Sequence, residues 1–115
     1  MSNLHWHLLD LLTSGQGGYV SFEVGGETFP AHRNIVASRS SVFMAELYGP
    51  MKEKAATYVR IDGMKAKVLQ AMLHFIYTDS WPEINEDETV EMAQHLLVAA
   101  DRYNLERLNL LCEET

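Results

Sequence analysis

Strict alternation of polar and apolar side chains over Tyr19–Val24 is the most constraining feature of this sequence. A period of two residues predicts a β-strand that buries one of its faces. Gly25-Gly26 follows directly, and two residues that both accept positive φ predict a tight two-residue hairpin. Glu27–Phe29 is expected to return as a short second strand, which Pro30 ends.

After the hairpin, the apolar spacing changes to the 3.6 residues typical of a helix. Helices are predicted over Ala31–Ser38, Val42–Tyr48, Ala66–Tyr77, Glu86–Tyr103 and Leu105–Glu114. Ser40 or Ser41 is expected to cap the second of these, and Asn104 to separate the last two. A third short strand is predicted at Tyr58–Ile61. This order of elements predicts an α+β fold, with a small sheet flanked by a cluster of helices.

A further helix is predicted at the start of the chain, over Asn3–Leu12. Four leucines recur at helical spacing and form one apolar stripe: Leu4, Leu8, Leu11 and Leu12. Trp6 and Leu9 fall on the other side, so the helix is apolar over more than the usual face. It is either buried between two parts of one monomer or in contact with a second chain. Its terminal position favours the second interpretation.

The charge of the chain is unevenly distributed. Its 115 residues include 16 acidic and 9 basic side chains, for a net charge of −7. Residues 1–78 carry six acidic and seven basic side chains, whereas residues 79–115 carry ten acidic and two basic ones. The last third of the chain is therefore strongly acidic and repels the phosphate groups of nucleic acids and anionic membranes. We expect neither as a direct partner. The acidic last third either serves solubility alone or favours a protein partner with a basic face.

The remaining composition excludes several classes of protein. A single cysteine, Cys112, excludes an intramolecular disulfide framework and a four-cysteine zinc site. No apolar run approaches the ~18 residues of a membrane span. The N-terminus lacks the basic flank of a signal peptide, so we expect a soluble protein of the cytoplasm, the nucleus or both.

No set of residues in the sequence predicts catalysis. His5 and His7 are two residues apart on a helix and point in different directions, so they do not share a metal ion. Gly15-x-Gly17-Gly18 lacks the lysine of a phosphate-binding loop and precedes a strand instead of following one. We therefore predict no enzyme activity, no cofactor and no metal. Met51 stands among polar residues, and its side chain either folds back onto the core or contacts a partner.

One long segment resembles a known family. Phe22–Phe43 reads FEVGGETFPAHRNIVASRSSVF and resembles the BTB/POZ domain, as do Phe75–Thr78 (FIYT) and Leu97–Leu108 (LVAADRYNLERL). The likeness covers nearly the whole chain and is greatest to the BTB part of plant MATH–BTB proteins and their animal speckle-type relatives. It implies the BTB/POZ fold, with an N-terminal dimerisation helix and loop at residues 1–14 and a core domain at residues 15–115.

The resemblance also implies a function. BTB domains of this type form homodimers and dock onto the N-terminal domain of a cullin-3-type scaffold, as substrate adaptors of a ubiquitin ligase complex. Substrate is expected to bind only through a MATH domain, which these 115 residues lack. The alternative is self-association without cullin binding, as a scaffold, a co-repressor docking module or a dominant-negative heterodimer partner of related BTB chains.

Specific residues match the contacts of the family. The family's hydrophobic-x-Glu cullin motif corresponds to Met51-Lys52-Glu53, with Tyr48 beside it and the turn at Tyr103 and Asn104 as a further candidate contact.

The family's dimer contacts match a second set of residues. They correspond to Leu4, Leu8, Leu11, Leu12 and Ile35. Many relatives pair an aspartate at the start of the first strand with a basic residue near Arg33. Here Tyr19 stands in place of the aspartate, which alters the charged part of the dimer interface.

Overall fold

A computed structural model describes residues 18–48, 58–82 and 84–114. Within these ranges there are three strands and five helices: β1 (Tyr19–Val24), β2 (Glu27–His32), α1 (Arg33–Arg39), α2 (Ser41–Tyr48), β3 (Tyr58–Arg60), α3 (Ala66–Thr78), α4 (Thr89–Arg102) and α5 (Glu106–Glu113). The predicted α+β fold class is confirmed. The predicted helix over Asn3–Leu12 lies outside the described residues.

The predicted hairpin is present, but its second strand is longer than expected. Gly25 and Gly26 form the turn with φ of 58° and 85°, and β2 continues antiparallel to β1 as far as His32. The backbone N–H of His32 donates to the hydroxyl of Tyr77 at 2.9 Å and not to β1. Residues two apart in a strand point their backbone groups the same way, so the nitrogen of Pro30 also faces away from β1.

Pro30 therefore removes no hydrogen bond between the strands, and the prediction that it ends β2 is wrong. β2 is an edge strand in the sheet order β2-β1-β3, which is where proline is tolerated. Ala31 and His32 were predicted in a helix but complete this strand. The helix that follows begins at Arg33.

The third strand pairs with β1 in parallel. Val59 lies opposite Phe22, and the N–H of Ile61 donates to the carbonyl of Glu23 at 2.9 Å just beyond the end of β3. The predicted third strand is thus confirmed, one residue shorter than predicted.

The core lies on the face of the sheet that carries the apolar half of β1. The largest fully buried side chains come from β1, α2, α3, α4 and α5: Phe22, Phe43, Leu47, Leu69, Met72, Phe75, Leu96 and Leu108. The rings of Phe22 and Phe43 lie 5.0 Å apart and join the sheet to α2. Burying a side chain of this size contributes about 2 to 3 kcal/mol, so these contacts dominate the stability of the fold.

The last third of the chain is divided differently from the prediction. A 3₁₀ turn at Glu86–Glu88 precedes α4 where one continuous helix was expected. Asn104 does separate the last two helices, with a left-handed φ of 57°. The N–H of Leu105 returns to the carbonyl of Ala100 at 2.8 Å, which closes α4 with a Schellman motif. Of the described helices, none has the length and apolar character needed to cross a membrane.

Asp79 links three helices at one end of the molecule. It caps α3 in a left-handed conformation, with φ of 57°. Its carboxylate accepts hydrogen bonds from Arg39 of α1 at 2.7 Å and from Arg107 of α5 at 2.8 Å. The bond from Arg39 is the largest cause that lowers the pKa of Asp79 below its ordinary value of 3.8.

Substituting Asp79→Asn tests this three-helix junction. Asparagine tolerates the left-handed conformation but loses the charge. Because the pKa is lower in the folded than in the unfolded chain, the stabilisation is fully present above 3.8 and is lost as pH falls through the folded value. We expect the variant to unfold at less urea than the parent at about pH 7, and the difference to shrink towards about pH 2.

Asp62→Asn is the matched control, because Asp62 is highly exposed and its ion pair with Arg60 is longer, at 3.4 Å. We expect little change in its urea midpoint. An unchanged midpoint for Asp79→Asn at neutral pH would contradict a role for the junction in stability.

Candidate functional site

Ser40 joins two distant segments of the chain. Only 1% of its surface is exposed, at the junction between α1 and α2. Its hydroxyl accepts the N–H of Phe43 at 3.1 Å and donates to the carbonyl of Tyr103 at 2.6 Å. Of the two predicted capping residues, Ser40 is therefore the one that caps α2. The same hydroxyl fixes the turn between α4 and α5 against the start of α2.

The turn at Tyr103 and Asn104 has one inward and one outward side chain. Tyr103 is 2% exposed, and its ring stacks on Phe43 with centroids 4.2 Å apart. Asn104 is exposed, and its Nδ2 donates to Oγ of Ser41 at 2.9 Å. Of this predicted pair, Asn104 lies on the surface and Tyr103 supports the turn from the core.

The outer face of α2 is apolar near its end. Tyr48 is 39% exposed, and its hydroxyl donates to Oδ1 of Asn34 on α1 at 2.7 Å. Met44 lies one turn earlier and is 49% exposed. Met44 has no distinguishing signal in the sequence, because the helical pattern alone does not separate a core methionine from an exposed one. Met51 and Glu53 lie outside the described residues.

The predicted dimer residues are only partly described. Arg33 donates through Nη1 to the main-chain carbonyl of Tyr19 at 2.9 Å, and its N–H donates to the carbonyl of Gly18 at 3.2 Å. The guanidinium therefore bonds to a backbone oxygen of Tyr19. Ile35 is half-buried and packs against the core. The four leucines of the predicted N-terminal helix, Leu4, Leu8, Leu11 and Leu12, lie outside the described residues.

Gly18 lies against the guanidinium of Arg33. Its φ is 78°, and a Cβ built on it would lie 2.9 Å from Nη2 of Arg33. Any other residue would meet the guanidinium and adopt a strained backbone. The positive φ is therefore the main reason that glycine suits this position, since the guanidinium end of Arg33 can shift.

The titratable groups of the described residues do not converge on a reaction centre. Cys112 is buried, and burial raises the pKa of its thiol to about 11, so it remains protonated and unreactive at neutral pH. In the three described ranges, no group of three or more His, Cys, Asp or Glu residues could hold a metal ion. Hydrogen bonds from Ser40 and Asn104 connect the start of α2 to the turn between α4 and α5.

Comparisons with known proteins agree on one domain family. The family model for the BTB/POZ domain matches residues 9–115. BTB/POZ and MATH domain-containing protein 3 of Arabidopsis thaliana is 42% identical, over 98% of this chain and 29% of that protein. Protein 6 of the same series is 38% identical, over 97% of this chain and 30% of that protein. The chain thus spans less than a third of these relatives.

Solved structures show the same fold. The BTB domain of human Gigaxonin matches with a TM-score of 0.68 and 26% identity, over 99% of this chain and 92% of that chain. The BTB domain of zebrafish PATZ1 also has a TM-score of 0.68, with 24% identity over 83% of this chain and 71% of that chain. The second likeness is one of fold.

Ser40→Ala tests the contact between α2 and the α4–α5 turn. The substitution removes a helix cap and leaves the carbonyl of Tyr103 without its buried donor. We expect a loss of about 2 to 3 kcal/mol in the free energy of unfolding, measured by urea denaturation. Ser38→Ala is the control, because the Ser38 hydroxyl bonds only to the nearby carbonyl of Ile35 at the surface. A loss no larger than that of Ser38→Ala would contradict the role given to Ser40.

Proposed function

The chain belongs to the BTB/POZ domain family, and on that premise we propose that it is a homodimeric adaptor module that docks onto a cullin-3-type scaffold of a ubiquitin ligase complex. In more general terms, the chain is a protein–protein interaction module. The observation that carries the proposal is the exposed apolar face of α2, formed by Met44 and Tyr48. In the sequence, two residues separate Tyr48 from Met51-Lys52-Glu53.

The proposed contact combines an apolar anchor with a fixed carboxylate. Met51 enters a pocket of the scaffold, and Glu53 sets the orientation of the complex. A few buried anchors provide most of the energy of such interfaces. Tyr48 and Asn104 extend the contact on either side of α2, and the Ser40 hydrogen bonds keep these two residues in fixed relation before binding. This preorganisation reduces the entropy lost on association.

We propose no reaction on this chain. Substrate reaches the ligase through a MATH domain, the second domain in the names of the Arabidopsis relatives. The adaptor's contribution is to hold two proteins at a defined separation.

Self-association without cullin binding is the second candidate. It is favoured by the leucine stripe of the predicted N-terminal helix, which matches a dimer contact but no cullin contact. In this case the chain pairs with itself or with related BTB chains and acts as a scaffold, a co-repressor docking module or a dominant-negative partner. The two candidates make different predictions for variants of Met51 and Leu8.

Variants of the hydrophobic-x-Glu motif test the cullin proposal. We expect the parent chain to bind the N-terminal domain of cullin-3 in isothermal titration calorimetry. Met51→Ala should weaken binding about 30-fold, because it removes the apolar anchor, and Glu53→Gln about tenfold. Glu27→Gln, at an exposed position of β2, is the control and should bind as the parent does. Absence of binding by the parent, or full binding by Met51→Ala, would leave self-association as the function.

Leu8→Asp tests the dimer. A charge in the leucine stripe should convert the dimer to a monomer in multi-angle light scattering, because an obligate interface of about 2,000 Å² or more is rich in apolar side chains. Leu110→Asp is the control, since Leu110 is 60% exposed on α5 and outside the predicted interface. Thermal melting of both variants separates dissociation from unfolding. A folded Leu8→Asp variant that stays dimeric would disprove the role given to the stripe.

A further inference from the structure

A groove of about 920 Å³ is lined by none of the described residues that are assigned to cullin and dimer contacts. The hairpin turn at Gly25 and Gly26 forms one wall, residues 60–65 form the base, and α4 forms the other wall. This volume is typical of sites that bind a small molecule or part of a peptide. The lining includes none of Tyr48, Tyr103, Asn104, Arg33 or Ile35.

The groove gathers positive charge on an acidic chain. The described ranges contain seven lysines and arginines, and three of them line the groove: Arg60, Lys65 and Arg102. Neither Lys65 nor Arg102 forms an ion pair with a carboxylate among the described residues.

Two carboxylates also line the groove, and groups of this chain already bind both. Glu23 accepts a hydrogen bond from the hydroxyl of Tyr58, and Asp62 pairs with Arg60 at 3.4 Å. Three cations line the groove against these two carboxylates, so the net charge of its lining is positive.

Arg102 is held in place by two contacts and keeps further N–H donors available. Its Nη1 donates to the main-chain carbonyl of Asp62 at 2.8 Å, and its guanidinium lies 5.2 Å from the ring centre of Tyr103. A guanidinium has five N–H donors, so further donors remain for an acidic ligand. Its fixed position lowers the entropy cost of recognising a carboxylate.

The groove also contains an exposed apolar contact. Val98 on α4 is 69% exposed, although it faces the groove beside the buried Ala99. Met64 lies across from α4 in the base and is half-buried. An aliphatic side chain of a ligand placed here would cover Val98.

The backbone at the base has a free edge. The N–H of Ile61 donates to Glu23 of β1, so the N–H and C=O of Arg60 point to the opposite side of β3. The carbonyl of Asp62 points to that same side, where it meets Arg102. No described strand pairs with β3 there, since the sheet order is β2-β1-β3. An extended peptide can pair its main chain with such an edge.

We propose that this groove docks an extended acidic segment of a partner protein. The carboxylates of the segment bind Lys65 and Arg102, an aliphatic side chain covers Val98, and its main chain pairs with Arg60. This second docking surface is independent of the proposed cullin contact, so one BTB/POZ module holds two different proteins at once.

The probe is a fluorescein-labelled peptide of repeated Glu-Glu-Val-Val, titrated with the parent chain in fluorescence anisotropy; this order places glutamate and valine on both faces of an extended strand. A peptide of repeated Lys-Lys-Val-Val tests charge, and a peptide of repeated Glu-Glu-Pro-Pro tests strand pairing, because proline lacks the N–H. We expect only the first peptide to bind with measurable affinity. Its affinity should fall as salt is added.

Two pairs of variants locate the peptide. Val98→Asp should weaken binding about tenfold, whereas Val90→Asp should not, since Val90 is 65% exposed on the same helix and outside the groove. Lys65→Gln should weaken binding about fivefold. Lys67→Gln should leave binding unchanged, because Lys67 lies outside the groove. All four positions are at least partly solvent-exposed, and thermal melting checks that each variant is folded.

The outcomes are distinct. Equal binding of the acidic and basic peptides, or equal effects of Val98→Asp and Val90→Asp, would overturn the proposal. Inorganic phosphate and unlabelled peptide are compared as competitors. If phosphate displaces the labelled peptide at the same concentration as the unlabelled peptide does, a simple anion site explains the binding and the proposal is overturned. Cullin binding by the parent and by Val98→Asp is measured in parallel. Equal cullin binding by the two chains shows that the groove is separate from the cullin contact.

Discussion

The hydrogen bond between the Ser40 hydroxyl and the Tyr103 carbonyl joins residues that are 63 positions apart. It holds the start of α2 against the turn between α4 and α5, in a buried environment where an unmatched carbonyl is costly. The Phe43–Tyr103 ring stack lies next to it and the Asn104–Ser41 bond lies above it. The relative position of Tyr48 and Asn104, and with it the shape of the proposed docking surface, depends on this small buried contact.

Local patterns predicted most of the fold. The alternation in β1 and the glycine turn specified the hairpin, because both depend on neighbouring residues only. Pro30 was misjudged because its effect depends on whether its nitrogen faces another strand, which the position of β2 at the sheet edge decides. The three-helix junction at Asp79 was not predicted for the same reason. Arg39 is 40 residues from Asp79 and Arg107 is 28, and no local pattern connects them.

The site was predicted less completely than the fold. The turn at Asn104 was predicted, and the structure places Asn104 and Tyr48 at the surface. Whether the neighbouring Tyr103 faces inward or outward depends on Phe43, to which only the folded chain brings it close. The groove beside β3 had no signal in the sequence. Its lining comes from three segments that are separate in the sequence. Lys65 and Arg102 come close together only because α4 packs against the end of β3.

The net charge of −7 describes the whole chain, and its surfaces differ from one another. Several acidic side chains of the last third are engaged, since Asp79 binds two arginines and Glu88 lies 4.0 Å from Lys67. The argument from net charge holds for a long polyanion such as nucleic acid, which spans many surfaces at once. A short acidic segment in the groove responds mainly to charges within about 8 Å, the Debye length at physiological salt. Arg60, Lys65 and Arg102 outnumber Glu23 and Asp62 in the groove, so an acidic chain can bind an acidic peptide there.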